Sequence, residues 1–321
     1  MLFNNNQILS IKALSPNQVQ IDWELGNHCN FKCSYCFDGS NSGTHRVPKL
    51  NDTIKNNILH LVDQLRAQGK DQFFFNFSGG EPTIYSDIEN LVDFLNTIGP
   101  VYVTTNASRT LTWWQNNYAK FSRILISYHT EFSDYEHIIR LIDMALGRVK
   151  LSLHVMLYQK RFDQAVEVYK DLYRRYYNKP INVELKYVRD NNLHAVYSQE
   201  QLAVLDSLLP KPDNSGEYFT MATHLSEVKT SVETQILYPV LIKNLKGNFH
   251  GYKCYAHHEY IQVRYTGGVG LLSCGQFYTD KLHNIYSDDF VGNFRIGSTP
   301  LTCEINNNCG CYGILMATKH I

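Results

Sequence analysis

The chain has 321 residues, 44% of them hydrophobic, enough to bury a sizeable core as one large domain with a smaller companion. Thirty Lys and Arg balance thirty Asp and Glu, so the formal net charge is zero and nothing favours a nucleic-acid backbone or an anionic membrane surface as partner. The opening "MLFNNNQILSIKALSPN" has neither a charged leader nor an apolar run, and no stretch reaches ~18 consecutive apolar residues; the expectation is a cytoplasmic protein without a membrane partner.

In chain order, apolar β-rich runs alternate with segments of helical period. "QVQIDWEL" (18–25) predicts a strand, and Ile54, Ile58, Leu61, Val62 and Leu65 then share one helical face. "QFFFNF" (72–77) precedes a helix through Ile88, Leu91, Val92 and Leu95, and "VYVTT" (101–105) precedes one around "LTWWQNNYAKF". "RILISY" (123–128) leads to a helix through Ile138, Leu141, Ile142 and Ala145, and "VKLSLHVML" (149–157) to one from Phe162 to Tyr176. "INVELKYV" (181–188) is the sixth strand, with a weaker helix near "SQEQLAVLDSLL". Six β-then-α units predict a parallel sheet with helical returns, its strands apolar on both faces because both are covered. An open doubly wound sheet and a complete or partial barrel both satisfy the pattern. "PKPDNSGE" marks a break. The predicted division is an α/β domain over 1–210, a connecting segment over 211–253, and a cysteine-rich domain over 254–321. In the last, "EYIQVRY" and "GVGLLSC" read as short hairpin strands.

The eight cysteines fall in two groups: Cys29, Cys33 and Cys36, then Cys254, Cys274, Cys303, Cys309 and Cys311. In a reducing compartment such grouping points to metal or catalysis rather than disulfides. The polar clusters lie where strands end: the three-cysteine loop after strand one, "SGGEPT" after strand two, "TTNAS" after three, "SYHTE" after four, and His154 near the end of five. That is the rim where parallel α/β folds assemble their sites. Three thiolates can hold zinc with an outside fourth ligand, or three corners of an iron–sulfur cubane whose fourth iron stays open.

Cys29-x3-Cys33-x2-Cys36, with Tyr35 before the last cysteine, resembles the signature of the radical SAM superfamily. Gly79-Gly80-Glu81-Pro82 at the next strand end is similar to its second motif. The resemblance implies a partial (β/α)6 TIM-type barrel and a [4Fe–4S] cluster held by Cys29, Cys33 and Cys36 with one open iron. It further implies S-adenosylmethionine (SAM) on that iron, cleaved with an electron from flavodoxin or ferredoxin to a 5′-deoxyadenosyl radical that attacks an unactivated C–H bond. By position, Gly79 and Gly80 let the backbone approach the methionine moiety and Glu81 fixes its ammonium, with Pro82 in the same cofactor-binding set. Tyr35 offers backbone contacts to adenine. Asn106 and Ser127 are candidates for ribose or carboxylate, with helix capping as the alternative. The strand-five adenine motif GxIxGxxE is absent; "LSLHVMLY" stands there, leaving His154 a candidate beside an ordinary core histidine. His129 should point into the rim as a candidate catalytic residue.

The five later cysteines resemble the twitch domains of some radical SAM enzymes, a reduced form of the SPASM domain. Five cysteines imply one auxiliary cluster, a [4Fe–4S] with structural zinc as the alternative, held by four of Cys254, Cys274, Cys303, Cys309 and Cys311. With Cys254, Cys274, Cys309 and Cys311 as the ligands, Cys303 is a spare thiol that could donate a hydrogen atom; alternatively it is itself a ligand. Strand one begins soon after the first residue, so no peptide-recognition domain is expected before the barrel. The expected substrate is a small polar metabolite undergoing dehydrogenation, epimerisation or rearrangement, with a peptide-modifying maturase as the alternative. A non-catalytic, metal-stabilised binding protein is the more remote alternative.

Overall fold

The computed structural model describes residues 8–13, 17–36, 39, 41–190, 193–194, 197–208, 226–230, 249–270, 283–297, 299–304 and 318–320. The chain opens with β1 (Ile8–Ala13), β2 (Gln18–Glu24), α1 (Asp52–Arg66), β3 (Gln72–Ser78), α2 (Ile88–Leu95), β4 (Val101–Thr105) and α3 (Leu111–Asn117). It continues through β5 (Arg123–Tyr128), α4 (Tyr135–Ala145), β6 (Lys150–Leu157), α5 (Phe162–Arg175), β7 (Ile181–Tyr187), β8 (Arg189–Asp190), β9 (Leu193–His194) and α6 (Gln199–Leu208). Short strands follow: β10 (Ser226–Thr230), β11 (Lys253–Cys254), β12 (Tyr260–Val263), β13 (Val269–Gly270), β14 (Leu301–Thr302) and β15 (Lys319–His320). Helix starts follow local chemistry. Asn51 caps α1 by accepting from Ile54 N, Thr110 caps α3 from Trp113 N, and Asp134 caps α4 from His137 N.

The main sheet has eight strands in the order β13-β12-β2-β3-β4-β5-β6-β7 and is mostly parallel, consistent with a partial TIM barrel. By compactness the chain divides into two units, one of Met1–Trp23, Leu50–Phe74 and Tyr218–Ile321, the other of Glu24–Lys49 and Phe75–Glu217.

In the second unit the strands carry two unlike faces. Phe75 and Phe77, Val101 and Val103, Ile124 and Ile126, Leu151, Leu153 and Val155 are buried on one face, along with the apolar stripes of α2, α4 and α5. The other face is more polar, although Leu125 on it is buried as well. In-register pairing places Asn76 beside Tyr102 beside Arg123, and, higher up, Ser127 beside His154 beside Glu184, with Met156 beside Lys186 above them. Most of these side chains are half-buried. The expectation of strands apolar on both faces is therefore corrected: buried apolar positions alternate with half-buried, largely polar ones, most regularly in β2, β3 and β4.

In the first unit, "EYIQVRY" does not stand apart as a hairpin. Its β12 pairs in parallel with β2, Tyr260 opposite Gln20 through Val263 opposite Trp23, and only its other edge forms a hairpin with β13. The order β10-β1-β15-β11-β14 gives this unit a second sheet, paired antiparallel throughout. A buried ion pair between Lys70 Nζ and Glu259 Oε1 (3.7 Å) lies in the same unit, and Glu259 also accepts from the Thr318 hydroxyl (3.0 Å).

Candidate active site

The segment after β2 is sewn to the turn after β3 by main-chain bonds. Leu25 N donates to Ser78 O (2.7 Å), Gly80 N to Gly26 O (3.0 Å) and Glu81 N to His28 O (2.8 Å). This approach dictates the paired glycines. A Cβ on Gly79, at φ +120°, would stand 2.6 Å from Gly26 O; one on Gly80 would stand 2.1 Å from His28 O. Asn27, 3% exposed, closes the loop that follows. Its Nδ2 donates to Gly39 O, Ser42 Oγ and Thr44 Oγ1, and its Oδ1 accepts from His45 N (2.8 Å).

The three cysteines sit on the loop so anchored. Cys29 Sγ accepts from Phe31 N (3.4 Å) and Asn106 Nδ2 (3.7 Å), and Cys36 N donates to Cys33 O (3.0 Å) across a tight turn. Burial pushes the Cys33 thiol up to about 12 and raises Cys29 as well. A bare thiolate is thus disfavoured here, and a bound metal supplies the positive charge that makes it favourable. Donors already aimed at Cys29 Sγ fit that state. Among the described residues no three His, Cys, Asp or Glu side chains are arranged to hold one ion. A cluster takes one thiolate per iron, so its ligands need not converge as those of zinc do. Beside the loop, the Tyr35 hydroxyl lies 2.6 Å from His129 Nδ1, which puts His129 against the cysteine loop.

Glu81 is 1% exposed and fully engaged by its own scaffold. Its Oε1 accepts from Thr83 N (3.0 Å), Thr83 Oγ1 (2.6 Å) and Thr105 Oγ1 (2.6 Å), and its Oε2 from Asn106 N (2.6 Å). The carboxylate assigned by motif to an ammonium is here a brace between two strand ends. Asn106 is likewise employed. Its Nδ2 reaches Asn30 Oδ1 (3.1 Å) as well as Cys29, and its Oδ1 accepts from Ser108 N (3.0 Å). It caps no helix, since Thr110 does that for α3. Ala107 beside it, buried, holds a left-handed φ of 58°. Pro82 is buried at the start of a single 3-10 turn.

The sequence profile of the radical SAM superfamily matches residues 23–184, half of the chain. The chain belongs to the radical SAM superfamily. A stretch of 85 residues is 35% identical to the molybdenum cofactor biosynthesis protein moc-5 of Caenorhabditis elegans, covering 26% of this chain and 14% of that protein. A stretch of 76 residues is 32% identical to the mycofactocin maturase MftC of Mycolicibacterium smegmatis, covering 24% of this chain and 18% of that protein. The chain thus spans less than a fifth of these curated relatives. The solved structure of native anSMEcpe with bound AdoMet is 15% identical, with a TM-score of 0.49 over 79% of this chain and 74% of that one.

Membership in the radical SAM superfamily implies a [4Fe–4S] cluster and SAM, and Cys29, Cys33 and Cys36 are the residues whose number, spacing and donors fit the former. Ser127 and His154 lie side by side on the polar strand face, half-buried. His154 Nε2 is 3.5 Å from Glu184 Oε2, yet burial, with Lys186 and Arg123 nearby, lowers its pKa to about 4. Burial lowers His129 to about 4 too. Both rings are therefore neutral at pH 7 and must be protonated for the chain to relax in acid. A folded pKa below the unfolded value of ~6.5 means stability is complete above pH 6.5 and is lost as pH falls toward 4. Between pH 7 and 5 each histidine is expected to remove about 2 kcal/mol from the metal-free chain. Urea midpoints at the two pH values check this; His154→Gln should flatten the slope by its share, and an unchanged slope counts against a buried neutral ring.

Of the later cysteines, Cys254 ends β11 and Cys303 follows β14, the strand paired with β11; both are half-buried. Cys274, Cys309 and Cys311 lie outside the described residues. Among the described residues no helix is long and apolar enough to cross a membrane.

Proposed function

We propose that this radical SAM protein abstracts hydrogen from an unactivated C–H bond of a small polar metabolite, leading to dehydrogenation, epimerisation or rearrangement. The observation that carries the reading is the three-cysteine loop locked onto the Gly79–Gly80 turn by paired main-chain bonds. When bound, the cluster and SAM supply reductive cleavage of the sulfonium and hydrogen-atom abstraction. The chain's own part is to hold, orient and shield. Cys29, Cys33 and Cys36 ligate three irons, while Gly79, Gly80 and Pro82 offer backbone at the methionine end. Glu81 stiffens that turn, Tyr35 offers backbone to adenine with His154 as a further adenine contact, and Asn106 and Ser127 serve the ribose or carboxylate. The more polar face, with Arg123, Glu184 and Lys186 in reach of one another's strands, suits a substrate rich in hydroxyl, amino or anionic groups.

An auxiliary cluster on four of Cys254, Cys274, Cys303, Cys309 and Cys311 belongs to this reading. It falls in a functional division of 1–210, 211–253 and 254–321, with Cys303 as possible hydrogen donor and a cytoplasmic flavodoxin or ferredoxin as reductant. The segment shared with a maturase favours a second reading, in which the substrate is a peptide.

Anaerobically reconstituted protein given SAM and a strong reductant is expected to release 5′-deoxyadenosine, and the Cys29/Cys33/Cys36→Ala variant to fall to background. Low-mass and peptide fractions of cell extract, added in turn, separate the two substrate classes by which one raises release. No release from iron-loaded wild type would leave a metal-stabilised binding protein as the better description.

A further inference from the structure

Ser34 lies inside the Cys33–Cys36 turn, and the end of β5 holds it there. Its amide N–H donates to Glu131 Oε2 (2.9 Å) and its hydroxyl to Glu131 Oε1 (2.8 Å), so one residue occupies both oxygens of the carboxylate. Ser34 Oγ is also 2.8 Å from the Tyr158 hydroxyl. The next residue is gripped as well: the Tyr35 hydroxyl meets His129 Nδ1, and its ring packs against Tyr158 at 4.8 Å between centroids. The gripping segment is itself fixed. His129 N donates to Ser133 Oγ (2.8 Å) and Arg161 Nη1 to Thr130 O (3.2 Å).

An exposed carboxylate that merely found a hydroxyl would be an ordinary surface contact. A charged, two-oxygen acceptor on a main-chain N–H is different, because it fixes the backbone between two ligands rather than a side chain. Ser34 N is thereby withheld from the cysteine sulfurs, and a formal negative charge is set beside them. Hydrogen bonds and net charge around the sulfurs are what tune the potential of an iron–sulfur site.

We propose that Glu131 is the positioning residue of the cluster loop: it presets the Cys33–Cys36 turn before metal arrives, and its charge holds the loaded site at a more negative potential. The second half rests on Cys29, Cys33 and Cys36 being cluster ligands; the first does not.

Two measurements test it. Amide exchange of the 31–36 segment is followed in the metal-free chain, and midpoint potentials are read by EPR-monitored titration of reconstituted protein. Glu131→Ala is expected to speed exchange of 31–36 by about tenfold while α4 stays as protected as in wild type. The isosteric Glu131→Gln keeps a carbonyl oxygen for Ser34 and should recover most of that protection, yet shift the midpoint to more positive potential. Exchange within about twofold of wild type in Glu131→Ala overturns the clamp. An unmoved midpoint in Glu131→Gln overturns the role of the charge. Wild type that binds no iron at this loop overturns the cluster reading instead, and the exchange result still decides the clamp.

Discussion

Gly80→Ala is expected to cost ~3 kcal/mol or more of stability in the metal-free chain and to abolish iron retention at the three-cysteine loop. The added methyl would stand 2.1 Å from His28 O, 2.5 Å from His28 C and 2.8 Å from His28 N. All three are main-chain atoms, so no side-chain rotation relieves the overlap. The strand-end turn and the loop must move apart, and the bonds from Gly80 N and Glu81 N across the same contact go with them. Gly292→Ala is the control: it has ordinary φ and open space around it, so its effect should stay within ~1 kcal/mol. Urea unfolding and iron content measured together discriminate between two reasons for the glycine. If Gly80→Ala unfolds like wild type but binds SAM poorly, the glycine exists for the cofactor's approach. If the apo chain is already weakened, it exists for the loop's own docking, as the distances indicate.

That contrast shows where sequence reading reaches its limit. The six βα units were legible almost to the residue because each rests on local signals: a β-branched or aromatic run, then a 3.6-residue stripe, as in the helix read from Phe162 to Tyr176 and found as Phe162–Arg175. The motifs at the strand ends were legible for the same reason. What escaped is the set of partners. Glu81 meets Thr105 across 24 residues and Ser34 meets Glu131 across 97, so neither brace leaves a mark in any short window. Asn27 carries no motif of its own, and its partners Ser42, Thr44 and His45 lie 15, 17 and 18 residues on. Two signals were present and overruled. "QVQIDWE" alternates strictly and the structure buries every second residue, but the rule that parallel strands are covered on both faces argued the polar positions away. "EYIQVRY" was a correct strand with its hairpin neighbour β13 in place, but its second neighbour, β2, went unread, because an apolar run does not say which other strand it will lie beside.

Glu81→Gln isolates what the buried one of these two braces does. Burial pushes the Glu81 carboxyl up, while donors from Thr105, Thr83 and Asn106 pull it down. Burial is the larger influence. With the folded pKa raised, it is the protonated carboxyl that favours the fold: that contribution is present below the unfolded value and lost as pH rises through the folded one. At neutral pH the charged group is therefore not there for net stability, and its worth lies in geometry. Glutamine keeps the shape, removes the charge and turns one acceptor into a donor. Whichever way the amide faces, an N–H or a hydroxyl that was satisfied meets another N–H. The expected loss is only ~1–3 kcal/mol, because the removed charge partly offsets the lost bonds. Placement suffers more than stability. Asn106, released from Glu81, no longer fixes its Nδ2 on Asn30 and Cys29. Iron retention at the loop, and 5′-deoxyadenosine release with it, should fall at least about tenfold under conditions where the variant is still folded. A Glu81→Gln chain that retains full iron and full release would make the brace dispensable, and Asn106 would then be placed by Ser108 and Asn30 alone.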